Sequence, residues 1–378
     1  MTSIGEELLN LVSVRMLERT CALSEIPAPT FDEGARAEVV RQWWLDEGIL
    51  ELMVDSVGNV IGKIRSGSIE GSPALVVCAH TDTVFGKDIK HGLRREGDRL
   101  IGPGVGDDTI AVVALCELDR LLTTQMNHDV WIAATVAEEG LGNLAGVRHL
   151  LASPPAPVGS LIALEGNYLG RVNLVGVGSR RWRVTLQGPG GHSWEENDHP
   201  SAVEEAARMS TRLVEGTREV DGGLPGKATV NIGLITGGES INARAQNCTF
   251  DVDLRADSQV ALLALVGRAQ ELLIPQDARV TCVLTDIGDR PSGSTSEVHS
   301  LVVAALTASK LHGVEPALTA ASTDANAAYA LAIPAVTLGV AFGGSTHTEV
   351  EWIDAASIPV GMRILAETIE AYDKMEWL

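Results

Sequence analysis

The apolar positions of this chain fall in two styles. In the first and last parts they form short continuous runs: Ala74-Leu-Val-Val-Cys-Ala79, Val130-Trp-Ile-Ala-Ala-Thr-Val136, Ser160-Leu-Ile-Ala-Leu164 and Ala335-Val-Thr-Leu-Gly-Val340. Runs of this length, apolar on both faces and rich in β-branched residues, predict buried parallel strands. Helices are predicted between them. Leu8, Leu9, Leu11, Val12, Met16 and Leu17 recur at helical spacing until Ile26-Pro-Ala-Pro29 stops the helix. Thr30-Phe-Asp-Glu33 has the capping-box pattern and predicts a second helix reaching about Glu47. Further helices are expected at about 110–122, 143–152, 298–311 and 357–371. Two short strands near 50–56 and 59–65 turn around Gly58, and Ser322-Thr-Asp-Ala-Asn326 reads as a loop.

From about residue 171 the style changes. Val172-Asn-Leu-Val-Gly-Val and Arg181-Trp-Arg-Val-Thr-Leu-Gln alternate, as half-exposed antiparallel strands do. Helices near 201–215 and 258–274 and strands near 228–236, 247–255 and 278–286 complete a β-α-β-β-α-β-like block. Pro291-Ser-Gly-Ser marks the return to the first style. The expected fold class is therefore α/β: a catalytic domain on a central, mostly parallel sheet, with an inserted α+β domain. The expected boundaries are 1–175 and 291–378 for the first domain and 176–290 for the insert.

Charge and cysteine content narrow the function classes. The formal net charge is −21 over 378 residues. That argues against nucleic-acid binding, which needs a basic surface. No apolar segment reaches membrane-spanning length free of charge, so no membrane partner is expected. The N-terminus lacks the order of regions in a signal peptide. Cys21, Cys78, Cys116, Cys248 and Cys282 are odd in number and form no C-x-x-C pair. A reducing, cytoplasmic location suits them.

Chemistry collects where the apolar runs stop. The first ends in His80-Thr-Asp82, the second leads to Glu138-Glu139 and the third to Glu165. The Gly- and Pro-rich turn Ile101-Gly-Pro-Gly-Val-Gly carries Asp107-Asp108 to the start of the next helix. Taken singly, each group could be a surface pair or a helix cap. Together they place acidic groups and a histidine at the same end of successive strands, where open α/β sheets bind ligands. Carboxylates gathered there repel unless cations offset them, and a pair of divalent metals would do so. A carboxylate at position 82 can also orient a metal-bound imidazole at position 80.

The ordered set His80-Thr-Asp82, Gly106-Asp107-Asp108, Glu138-Glu139-Gly140, Glu165, Gly190-Gly-His192-Ser and Ser345-Thr-His347 resembles the M20 metallohydrolases. These include peptidase T, glutamate carboxypeptidase, succinyl-diaminopimelate desuccinylase and aminoacylase. The resemblance implies two Zn2+ per chain, with Co2+ or Mn2+ as possible substitutes. His80, Asp107 and Glu165 would hold one ion. Asp107 would bridge to the second, completed by Glu139 and His347. Glu138 would be the general base and Asp82 would orient His80. His192, from the inserted lid, would help stabilise the oxyanion in a partner's site, which implies a homodimer through that domain. Asn242 and Arg255 would bind a substrate carboxylate, a task for which the planar guanidinium is suited. The peptide bond after Asp107 would be cis.

Two positions individualise the chain. Thr109 stands where the family usually has Lys. Glu165 is the ligand type of carboxypeptidase- and deacylase-like members, which tilts the expectation towards substrates with a free α-carboxylate. The expected activity is hydrolysis of a peptide bond in small peptides. Its alternatives are N-acyl-amino-acid deacylation or desuccinylation by the same mechanism and, in another class, a non-catalytic metal-binding regulator that retains the fold.

Overall fold

The computed structural model describes residues 4–221, 226–375 and 377. The chain divides into two compact units, Met1–Gly176 with Ser294–Leu378, and Val177–Gly293. Among the described residues no helix is long and apolar enough to cross a membrane.

The first unit is built on the strand Ala74–His80, buried at every position. It pairs in parallel with Val130–Thr135 on one side and Val158–Leu164 on the other. Ala335–Leu338 continues the parallel set beyond Val158–Leu164. Antiparallel strands flank this set: Val60–Arg65 against Val130–Thr135, and Leu50–Val54 beyond it. Side chains of a strand point alternately to the two faces. Leu75, Val77 and Ala79 accordingly join one core cluster, with Val12, Leu115 and Leu365. Ala74, Val76 and Cys78 join another, with Val147 and Ala328. Helices cover both faces, which is why these strands read as continuous apolar runs. All four parallel strands end at one rim.

Three local expectations are corrected. The helix Gly34–Asp46 is not opened by a capping box: no side chain caps it. Thr30 donates instead to Asp82 (2.9 Å), and Glu33 accepts from the main-chain N–H of Phe31 (2.8 Å) and Ala137 (3.0 Å). The ties to Asp82 and Ala137 are long-range, and they use the groups that a local cap would have used. The segment Arg171–Gly176 is not half-exposed. It lies in the central sheet, antiparallel to Ala335–Leu338 and parallel to Ala317–Ala321, and Val172 and Leu174 pack in the main core. Its covering elements come from the last part of the chain, which local alternation cannot reveal. Finally, Ser322–Asn326 is only partly loop, because a short helix begins at Ala325. A small antiparallel sheet of Gly343–Gly344, Trp352–Asp354, Arg99–Ile101 and Arg94–Glu96 also lies within stretches read as irregular.

The second unit is a four-stranded antiparallel sheet in the order Ala228–Gly237, Asn247–Ala256, Gly178–Gln187, Thr281–Arg290. Trp182, Val184, Leu186, Phe250, Val252 and Leu254 alternate inward against the helices Ala202–Asp221 and Gln259–Leu272. Arg183 and Asp251, on the alternate positions, pair at 2.8 Å.

Close approach fixes one position in the last helix, Ile358–Asp373. A Cβ on Gly361 would overlap the Val340 carbonyl. We expect Gly361→Ala to destabilise the first unit by about 1–3 kcal/mol through over-packing. Urea unfolding followed by circular dichroism checks this. An unchanged midpoint would show that helix and strand move apart freely.

Candidate metal centre

The rim at the carboxyl ends of the parallel strands gathers His80, Asp107, Glu138, Glu139, Glu165 and His347. Three overlapping groups have ligand atoms within 4.8 Å of one another: His80 with Asp107 and Glu165, His80 with Glu138 and Glu139, and Asp107 with Glu139 and His347. Asp107 stands between two imidazoles. Its Oδ1 lies 2.9 Å from His80 Nε2, and its Oδ2 lies 3.0 Å from His347 Nε2. Glu139 Oε1 lies 3.2 Å from the same His347 nitrogen.

These spacings suit a metal. Two ligands at about 2.0–2.1 Å from a tetrahedral zinc stand about 3.3 Å apart. Imidazole and carboxylate together suit such ions. The His80 tautomer agrees, because Nδ1 faces the main-chain oxygen of Asp82 at 3.0 Å, leaving Nε2 to turn towards Asp107. The Asp82 carboxylate is farther from that nitrogen, at 3.4 Å.

The Asp82 side chain holds something else. Oδ1 accepts the N–H of Glu138 (3.0 Å) and Oδ2 that of Glu139 (2.9 Å). It therefore fixes the backbone from which both glutamates project. Ala137, just before them, has φ 53°, a left-handed conformation that an alanine adopts only where surroundings enforce it. The Glu33 carboxylate on the Ala137 N–H is one such constraint.

Two more buried carboxylates act alike. Asp108 Oδ2 accepts from His80 N (3.2 Å) and Oδ1 from Gly166 N (2.8 Å), joining the His80 strand to the Glu165 loop. Glu351 Oε1 accepts the N–H of both Gly106 and Asp107, each at 2.7 Å. The Asp107–Asp108 peptide bond is cis. Gly166 permits this crowding: a Cβ there would stand 2.6 Å from Gly106 O and overlap Ile110.

Electrostatics follow from burial. Burial pushes the Glu165 carboxyl well up, and Asp107 and Asp108 add to it. Glu351 is pushed up to about 8, chiefly by burial. Burial would raise Asp107 too, but hydrogen bonds to His347 and His80 outweigh it and hold it low. Those to Asp107 and Glu139 raise His347 to about 10.

Of the residues expected in the insert, His192 and Asn242 lie side by side. His192 bridges to Ala243, and Ser193 N donates to Asn242 O at 3.0 Å. His192 is exposed, and its Nδ1 accepts from Trp194 N at 3.2 Å. Arg255 projects from the strand Asn247–Ala256 and pairs with Asp253 at 2.8 Å. Glu33, Arg36 and Glu351 are site residues that the sequence did not flag. Arg36 and Glu351 are charged residues in unremarkable contexts and Glu33 read as part of a helix cap; only burial separates them from surface groups.

Known proteins resemble this chain in sequence and in fold. The chain is 26% identical to acetylornithine deacetylase from Proteus mirabilis, over 95% of each chain. It is 25% identical to carboxypeptidase G2 from a Pseudomonas species, covering 82% of this chain and 76% of that one. A Staphylococcus aureus tripeptidase shares the fold, with TM-score 0.79 at 17% identity over 96% of this chain and 99% of that one. So does a dinuclear metal-binding peptidase of the M20 family from Bacillus subtilis, at TM-score 0.66 and 17% identity, covering 95% of this chain and 98% of that one. Residues 76–371, which carry the His80-to-His347 rim, match the sequence profile of peptidase family M20/M25/M40, and the chain belongs to that family of peptide- and amide-bond hydrolases.

Proposed function

We propose that this chain is a two-zinc hydrolase that cleaves a peptide bond in small peptides carrying a free α-carboxylate. The observation that carries the reading is Asp107, each of whose oxygens faces one imidazole Nε2. His80, Asp107 and Glu165 would hold one ion and Asp107, Glu139 and His347 the other. Two such dications would lower the pKa of a water between them and polarise the scissile carbonyl. Glu138, buried beside His80 and Glu139, takes the proton of the attacking water and delivers it to the leaving nitrogen. Asp82 keeps Glu138 and Glu139 in their separate roles through their N–H groups. Arg255 and Asn242 receive the substrate carboxylate. His192 acts on the oxyanion in the partner of a homodimer. All five cysteines are free, which suits a cytoplasmic protein.

A second reading, N-acyl-amino-acid deacylation by the same residues, has the name of the Proteus mirabilis relative in its favour. One experiment addresses both readings. Elemental analysis should find about two zinc ions per chain, and turnover on a dipeptide and N-acyl amino acid panel should stop on chelation. Metal uptake at pH 7 should release protons, because His347, raised to about 10, is protonated until a cation displaces its proton. Calorimetry in two buffers of different ionisation enthalpy reads this. One tightly held ion with full turnover would overturn the dinuclear reading.

Glu138→Gln should lose several orders of magnitude in kcat with zinc retained, since an amide accepts no proton. Glu139→Gln should instead weaken zinc binding. Equal metal loss in both would mean that the two roles are wrongly assigned.

The His192 role is read by complementation between Glu138→Ala and His192→Ala chains. A mixed dimer has one site with both groups only if His192 acts across the interface, so it alone should recover activity. A dead mixture, once subunit exchange is shown, rejects the trans arrangement.

A further inference from the structure

Among the described residues of the first unit, Arg36 is the only buried lysine or arginine, 1% exposed. It projects from the helix Gly34–Asp46, which contributes none of the proposed ligands. Its guanidinium joins three segments. Nε donates to Ile26 O at 2.8 Å, and Nη1 donates to Thr81 O at 3.2 Å and Thr109 Oγ1 at 3.1 Å. Thr81 lies between His80 and Asp82. Thr109 follows Asp107-Asp108 directly and is itself fully buried. One cation therefore holds the strand end bearing His80 against the turn bearing Asp107.

Burying a guanidinium is unfavourable unless its charge and donors are both used. Burial lowers the Arg36 pKa to about 10, and the nearby Asp82 opposes that shift. The group stays charged at neutral pH. It bridges the two loops whose ligand atoms, His80 Nε2 and Asp107 Oδ1, stand 2.9 Å apart.

We propose that Arg36 is a positioning residue of the metal centre: it clamps the His80 strand end to the Asp107 turn through Thr81 O and Thr109 Oγ1, and supplies a fixed positive charge beside Asp82. Arg36 and Thr109 then form one unit. A threonine at 109 accepts a hydrogen bond, whereas a lysine would set a second cation beside the first. The positive charge comes from helix Gly34–Asp46, and the side chain after the aspartate pair must be neutral.

The inference rests on the proposed metal ligands. Its test uses the zinc-loaded full chain with Arg36→Met, Arg36→Lys, Thr109→Lys and the double variant Arg36→Met/Thr109→Lys. Zinc affinity is read by chelator competition, kcat and KM on an amide substrate, and Tm on metal-free protein. Arg36→Met should weaken zinc binding about 10- to 100-fold, the range for groups that orient ligands. It should lower kcat per zinc-loaded chain with little change in KM. Arg36→Lys, which keeps charge but loses the fork, should fall between it and the wild type. Thr109→Lys alone should also weaken zinc binding, yet in the Arg36→Met background it should restore at least tenfold. If Arg36→Met does not fold, Thr109→Val, which keeps volume and removes one acceptor, should still weaken zinc binding several-fold. A lower Tm with unchanged zinc affinity and kcat, or additive losses in the double variant, overturns the inference. So does Thr109→Val with wild-type affinity. A wild-type chain that takes up no zinc removes the ligand reading itself, and the inference with it.

Discussion

Like charges buried together are the constraint on which the rest of this structure depends. Asp82, Asp107, Asp108, Glu138, Glu139, Glu165 and Glu351 are all buried in one unit. Carboxylates taken out of water are tolerated only if paired or hydrogen-bonded, and each makes its neighbours harder to ionise. The chain answers with main-chain N–H groups and two imidazoles. Asp82, Asp108 and Glu351 each accept two backbone N–H groups. His80 and His347 face Asp107. What remains is negative charge at a rim of ligand-spaced oxygens, the condition under which a dication binds well.

The same ties explain how loops become rigid enough for chemistry. The groups at the rim come from separate loops, and loops are ordinarily the mobile parts of a fold. Here each is fastened to another by a buried carboxylate. Asp108 ties the His80 strand end to Gly166, Glu351 ties its own segment to the Asp107 turn, and Asp82 ties its own loop to Glu138 and Glu139. The parallel sheet supplies the common rim, and the carboxylates lock the register of the loops upon it. A group one ångström out of place would lose much of its effect on a reacting bond.

Much of the fold was legible in the sequence. The buried parallel strands showed as continuous apolar runs because helices cover both faces, and the inserted sheet showed as alternation because one face is wet. The pairs His80/Asp82, Asp107/Asp108 and Glu138/Glu139 stood out because they interrupt or follow apolar runs. Arg171–Gly176 was misread for the same reason in reverse: its alternation suggested an exposed face that distant elements in fact cover. Thr30 and Glu33 carried a local helix signal, but longer-range partners claimed both side chains.

The sequence by itself determined the class of fold, the strand ends at which chemistry would gather, and the side chains able to bind metal. The first two are local properties, set by spacing of two to four residues and by residue type, and the last came from the resemblance of the ordered motifs to a known family. The tertiary structure alone decided what positions those side chains. Glu351 meets Gly106 across 245 residues, Glu33 meets Ala137 across 104, and Arg36 meets Thr109 across 73. A tie of that span leaves no periodic trace in the chain. It exists only because folding brings two segments within hydrogen-bond reach and removes the water that would otherwise have served both.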